Sequence, residues 1–301
     1  MARPRFAAAL DAALYRRLAR KRVASVPLAD TGYVDVAGER LRVLDTGGDL
    51  PVLLLAPDGP CVIEHYLDIV DELRGEFRVL VADLPGFGFS APSARHDHTL
   101  ERGAELLIGL LDALSIRSAT LALSCVNGYY AIAAAQLAPD RIDRLVLSQT
   151  PGIEAMQDWV TRIVPGPIRV PMVGQLLNFA VRERTAEGWF KAALAQRDAR
   201  PHFQGISRNN LRHGGCFCFA GVVQGMTNSG TALTASPSPD VPATLVWGLD
   251  DRSHRATDPE SIHSLLPQAE ILRLPGVGHF PDLEAPKTFA AALRQAAGSA
   301  A

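Results

Sequence analysis

Long apolar runs are missing from this 301-residue chain. No window of eighteen uninterrupted apolar residues occurs, so no membrane span is expected. Cysteine is scarce: Cys61, Cys125, Cys216 and Cys218 lack the density and paired spacing of a disulfide framework. Cys216 and Cys218, as C-F-C, have no second pair of ligands nearby. That argues against a structural zinc site and leaves alternate residues of an apolar stretch. Excess charge is lacking as well, with 30 Lys and Arg against 32 Asp and Glu. There is neither a basic field for nucleic acid nor an acidic tail to solvate a disordered chain. Internal repeats and long low-complexity tracts are absent. The opening MARPRFAAALDAALYRRLARKR has no small-residue cleavage site, and Asp11 interrupts its only apolar run, so it does not read as a signal peptide and a cytoplasmic protein is expected. On a helix its leucines and Tyr15 share one face, with Arg16, Arg17, Arg20, Lys21 and Arg22 crowding the last turns. Packing of such a helix on the domain or on a partner is favoured over a membrane contact.

What the chain does have is 48% hydrophobic content, enough for a large core. The segments YVDVAG, RLRVLDT, PVLLLA, FRVLVAD, SATLALS, RLVLSQ, ATLVWG and EILRLPG read as strands between turn signals. The first two, split at Ala37, Gly38 and Glu39, read as a hairpin, and the later, continuously apolar ones as parallel strands covered on both faces. Helical patterns fall between them at 62–74, 100–114, 128–137, 259–266 and 285–297. This alternation predicts an α/β fold with helices on both sides of a mostly parallel sheet. From 151 to 240 no good strand run occurs. The pieces IEAMQDWVTRIV, PMVGQLLNFAVRER and TAEGWFKAALAQR are helix-compatible, and TALTASPSPDVP reads as a connecting loop. The expected organisation is an N-terminal helical extension (1–30), a core (31–150 and 241–301) and an inserted helical cap (151–240).

Four separated segments carry chemistry. RVLVADLPGFGFSAP is a strand with a glycine-rich turn at Gly86 and Gly88. LALSCVNGYYA (121–131) runs a strand straight into a helix. TLVWGLDDRSH ends a strand in acids, and LPGVGHFPDLEAP holds His279 behind two glycines. In this order they resemble the α/β-hydrolase superfamily, with nucleophile, acid and histidine in the sequence that fold uses. The resemblance covers nearly the whole chain from Tyr33 on and implies an α/β-hydrolase fold with an inserted cap.

The elbow allows two frames. With Ser124 as nucleophile the flanking small positions are Ala122 and the β-branched Val126. With Cys125 they are the bulky Leu123 and Asn127, a residue that tolerates unusual backbone angles. Family elbows continue with a glycine three and an alanine six positions after the nucleophile; Gly128 and Ala131 meet both offsets from Cys125. Cys125 is therefore favoured, with Ser124 as the alternative. The resemblance selects His279 as base and Asp251, three residues past Gly248, as the acid that orients it, with Asp250 a fallback. His65, His96, His98, His202, His213, His254 and His263 lack a motif context.

A thiolate attacks thioesters and lactones well and leaves more easily than an amine, which points to acyl transfer and away from amides. The expected substrate is a small acyl compound, free or linked to a carrier protein or coenzyme A, with no cofactor, no metal and no nucleic acid; oligomeric state is open. The oxyanion hole departs from the family: Val126 offers one N–H, but LLLAPDGP places Pro57, which has none, where a second donor is usual. That donor then comes from Asp58 or Gly59. The Asp58 side chain takes part in proton transfer or caps the next helix. Apolar cap residues, including Met156, Trp159, Met172, Leu176, Leu177, Phe179, Trp189, Phe190 and Phe203, suggest an acyl or polycyclic ligand, with Trp159, Phe179 and Trp189 as candidate contacts. Two alternatives stand beside acyl transfer: a non-covalent acid-base lyase, cyclase or isomerase, and a ligand-binding homologue without catalysis.

Overall fold

The computed structural model describes residues 5–19 and 28–298. Helix α1 (Arg5–Ala19) comes first; Arg20, Lys21 and Arg22 lie outside the described residues. Eight strands form one sheet: β1 (Thr31–Val36), β2 (Glu39–Asp45), β3 (Val52–Ala56), β4 (Arg78–Asp83), β5 (Ala119–Ser124), β6 (Ile142–Ser148), β7 (Ala243–Gly248) and β8 (Glu270–Leu274). Their spatial order is β1-β2-β4-β3-β5-β6-β7-β8. The sheet is parallel from β4 to β8, and β2 pairs antiparallel with both β1 and β4. The hairpin turn is Ala37–Gly38, both at positive φ, and Glu39 already belongs to β2.

Continuous apolar runs serve two cores because successive side chains of a strand point to opposite faces. Leu54 and Ala56 of β3, with Leu80 and Ala82 of β4, face the cluster built by α3 (Leu100–Ala113) and α4 (Cys125–Leu137). Leu53, Leu55, Val79 and Val81 face the cluster of α2 (Leu67–Leu73) and α11 (Pro286–Gly298).

Several expected boundaries shift. The segment 62–74 divides into a 3₁₀ turn (Ile63–His65) and α2, and 259–266 forms only a 3₁₀ segment (Pro259–Ser264). Helix α4 starts at Cys125, three residues before the expected 128, because the strand passes into the helix without a loop. Five helices lie between β6 and β7: α5 (Ile153–Ile163), α6 (Gly166–Arg169), α7 (Val173–Ala193), α8 (Arg200–Arg212) and α9 (Phe219–Ala235). The two expected pieces 171–184 and 185–197 run together as α7, in which the non-helical Val181 makes a kink between two helical stretches, so their boundary lies three residues earlier than expected. TALTA belongs to α9, so the connecting loop begins only at Ser236. A strand does occur in this region: Cys216–Phe217 pairs antiparallel with Phe87–Gly88 of the turn after β4. C-F-C is thus a contact between the inserted region and the turn after β4. No described helix is long and apolar enough to cross a membrane.

Candidate active site

The carboxyl ends of four parallel strands meet at one edge, the usual place for a site in such sheets. Asp58 follows β3, Cys125 follows β5, Asp251 follows β7 and His279 follows β8. Ser124 closes β5 in extended conformation, φ −115° and ψ 151°, paired with Ser148. Cys125 alone on this turn takes the left-handed region, φ 51°. A non-glycine residue held there is strained, and such strain clusters at functional sites. The surroundings retain it: Thr150 Oγ1 donates to the Cys125 carbonyl at 3.1 Å. A Cβ on Gly128 would lie 2.2 Å from that same Oγ1, which explains the glycine three residues on. Asn127 sits in ordinary helix; its Nδ2 donates to the Pro57 carbonyl at 3.0 Å and ties the elbow to the loop after β3. Its role is that tether, and no unusual backbone angle is involved.

His279 Nδ1 faces Asp251 Oδ2 at 2.6 Å, and Nε2 faces Asp58 Oδ2 at 3.3 Å. Asp251 also accepts from Gln149 Nε2 at 2.8 Å and from the Ser253 N–H and Oγ at 2.8 and 2.7 Å. Asp250 is exposed and accepts the Gly276 N–H at 2.7 Å, so it holds a turn. The Asp58 carboxylate meets His279 and does not cap the following turn, where Val62 occupies the cap position. One ring nitrogen each of His279 and His254 lies with the Cys125 sulfur in a cluster whose donor atoms are within 4.8 Å of one another. His254 stacks between His279, at 5.3 Å, and Trp159, at 4.8 Å, and its Nε2 is buried without a partner. Motif reading passed over this residue. Its one signal was the spacing D-x-x-H from Asp251.

Trp189 lies edge-on to His279 at 5.3 Å and to Trp159 at 5.7 Å. Its Nε1 is buried without a partner, over Gly59, whose Cβ position is 2.9 Å from it. Trp159 gives its N–H to the Ser253 carbonyl at 3.0 Å and so braces the acid loop. Phe179 is placed elsewhere, against Tyr15 of α1 at 5.5 Å, beside Cys216 and Cys218. Cys125, Asp251 and His279 are 3%, 2% and 0% exposed, so a ligand enters only when covering side chains move.

A family model described as the alpha/beta hydrolase family matches residues 52–292. The chain belongs to that family. Its relatives include the 2-hydroxymuconate semialdehyde hydrolase of Pseudomonas sp. (strain CF600), 32% identical over 119 residues, 39% of this chain and 42% of that protein. That match thus takes in less than half of the relative's length. The 2-hydroxymuconate semialdehyde hydrolase of Pseudomonas putida is 26% identical over 270 residues, 84% of this chain and 89% of that one. Among solved structures, epoxide hydrolase A from Mycobacterium thermoresistibile superposes with a TM-score of 0.73 at 19% identity, over 88% of this chain and 97% of that one.

The charge states of the site follow from burial and neighbours. Burial opposes ionisation of Asp251, but the charge of His279 and the hydrogen bonds just described outweigh it and hold the carboxyl well below its usual range. Burial likewise opposes the His279 cation; Asp251 first, then Asp58 and Cys125, reverse this and raise it well above 6.5. Burial and then the Asp58 carboxylate push the Cys125 thiol up to about 11, against the pull of His279 and the Val126 N–H. Burial and then the charge of His279 depress His254 to about 3, so it is a neutral imidazole. The resting site therefore presents a neutral thiol, a cationic imidazole between two carboxylates and a second, neutral imidazole.

Among the described residues two groups of buried side chains offer donors of the type that suits zinc: Cys125, His254 and His279, and, apart from the site, Asp11, His98 and Cys218. In the first, both nitrogens of His279 already face carboxylates, an arrangement that suits proton transfer.

Proposed function

We propose that the chain hydrolyses an ester, lactone or thioester through an acyl intermediate on Cys125, with His279 and Asp251 completing the triad. The observation that carries this reading is the left-handed Cys125 at the strand-to-helix turn, beside a histidine whose far nitrogen is held by an acid. His279 passes its Nε2 proton to Asp58 and takes the thiol proton as sulfur attacks the carbonyl carbon. The imidazolium then protonates the leaving oxygen or sulfur as its bond to the acyl carbon breaks. Water adds to the thioester and gives a proton to His279; the carbon–sulfur bond breaks, the sulfur is reprotonated, and Asp58 returns its proton. His254, neutral and with an unpartnered Nε2, offers a hydrogen bond that positions the attacking water, while His279 takes its proton.

The oxyanion meets the Val126 N–H. Pro57 has no N–H to add, and the Trp189 indole N–H, unpartnered over Gly59, supplies the further donor in this reading. Relatives named as hydrolases of 2-hydroxymuconate semialdehyde support water as the acceptor. Substrates borne on a carrier protein or coenzyme A fall within the thioester class.

The carboxylate of Asp58, 3.3 Å from His279 Nε2, favours a second reading, non-covalent acid-base chemistry by a lyase, cyclase or isomerase. Intact-protein mass spectrometry after mixing with acyl thioesters, lactones and activated oxyesters separates the two. The expected result is a mass gain that disappears in Cys125→Ala and persists in Ser124→Ala. A gain lost only in Ser124→Ala would overturn the cysteine frame. Undiminished turnover in Cys125→Ala, with loss in Asp58→Asn, would establish the non-covalent reading.

A further inference from the structure

Among the described residues twelve large hydrophobic side chains stand exposed, and seven of them fall between Ile163 and Val181. At the N-terminal end of α7 the usual amphipathic order is inverted. Gln175 and Asn178 are 1% and 2% exposed, whereas Val173, Leu176 and Leu177 are 47%, 53% and 41% exposed. The polar pair is used internally, Gln175 bonding Gln224 at 2.8 Å and Asn178 the Phe217 carbonyl. A water-facing helix shows the opposite pattern. Met172, at φ 68°, turns the chain just before the helix and is 46% exposed. Helix α1 packs alongside in parallel register, Asp11 meeting Gln175 and Tyr15 meeting Phe179, and Phe6 near its start is 75% exposed.

Within the ridge segment the charge has one sign, with Asp158 and Glu183 just outside it. From Trp159 to Arg182 the sequence carries Arg162, Arg169 and Arg182 and no Asp or Glu. A second copy seated here by two-fold symmetry would bring two arginine-rimmed patches together. An anionic lipid surface complements both features, receiving the apolar side chains below its headgroups and the arginines at them. We propose that the α6–α7 ridge docks this hydrolase on anionic bilayers. The opposite end of α7 carries Trp189 and gives the Ala193 carbonyl to the His279 N–H at 2.9 Å, so the docked helix is also the one that closes over the candidate site. This inference does not depend on the identity of the nucleophile.

Vesicle flotation of the full chain tests it, with phosphatidylcholine alone and with equal parts phosphatidylcholine and phosphatidylglycerol. The wild type is expected to float with the mixed vesicles, to float far less with phosphatidylcholine, and to be released by high salt. Arg169→Glu is expected to weaken partition by at least about fivefold, the equivalent of about 1 kcal/mol per basic residue near an anionic surface. The double variant Leu176→Ser, Leu177→Ser is expected to lose about tenfold or more. Unchanged thermal melts in both variants confirm intact folding. No flotation of the wild type, or flotation that neither variant weakens, would overturn the proposal. So would a wild-type dimer that the double variant dissociates while no vesicle is bound.

Discussion

The proposal of Cys125 as nucleophile rests on its backbone more than on its side chain. Serine and cysteine stand next to each other at the end of β5, and either could attack a carbonyl. Only Cys125 is held at positive φ, and Gly128 and Ala131, three and six residues on, mark that position in the sequence. The same neighbours do not make it reactive at rest, since burial and Asp58 raise its pKa to about 11. Removing the Asp58 charge lowers that value. Iodoacetamide alkylation of Cys125, followed by peptide mass spectrometry at pH 8, is therefore expected to be several-fold faster in Asp58→Asn than in wild type. An equal or slower rate would show that Asp58 does not restrain the thiol. His254 was not legible as a site residue, because its part depends on stacking between Trp159 and His279, which comes from a separate segment.

The elements that hold the site depend on a few close approaches. Gly128, on α4, lets Thr150 lie against the elbow, and a methyl group there meets Thr150 Oγ1 at 2.2 Å and Cγ2 at 2.8 Å. Gly128→Ala is expected to cost about 1–3 kcal/mol, as overpacking does. Thr150→Ala in the same chain recovers part of that loss, as a double-mutant cycle by denaturant unfolding would show; strictly additive losses would mean that the two do not clash. The strands and the core helices α3 and α11 were legible from apolar patterning. Helices α8 and α9 were not. RPHFQGISRNNLR is mostly polar, and FAGVVQGMTNSGTALTA carries glycines and β-branched residues that disfavour an isolated helix. Packing overrides this preference: Gly225 of α9 passes the His98 carbonyl so closely that a Cβ would lie 2.1 Å from it. The apolar residues Met172, Leu176 and Leu177, read from sequence as pocket material, instead face outward.

Over the whole molecule the buried Asp251–His279 pair links stability to pH. Asp251, depressed in the folded state, contributes stability above its unfolded value of 3.8 and loses it as pH falls through the lower folded value. His279, raised in the folded state, contributes below 6.5 and loses that contribution as pH rises through its folded value. The pair thus stabilises most between about pH 4 and 6.5 and progressively less in alkali. Urea unfolding at pH 6 and pH 9 is expected to show a decline in wild type that is smaller in Asp251→Asn; an identical decline would place its origin in other groups. By itself the sequence determined the layered α/β architecture, because strand and helix periods are local, and the order of elbow, acid and histidine, because each sits in a short motif. Only the tertiary structure decided which neighbour takes the strained turn, that Asp58 turns to His279, that His254 and Trp189 join the site, and that α7 buries its amides and exposes its leucines. Those outcomes depend on contacts between segments far apart in the chain, where packing and hydrogen bonding outweigh what any local stretch prefers.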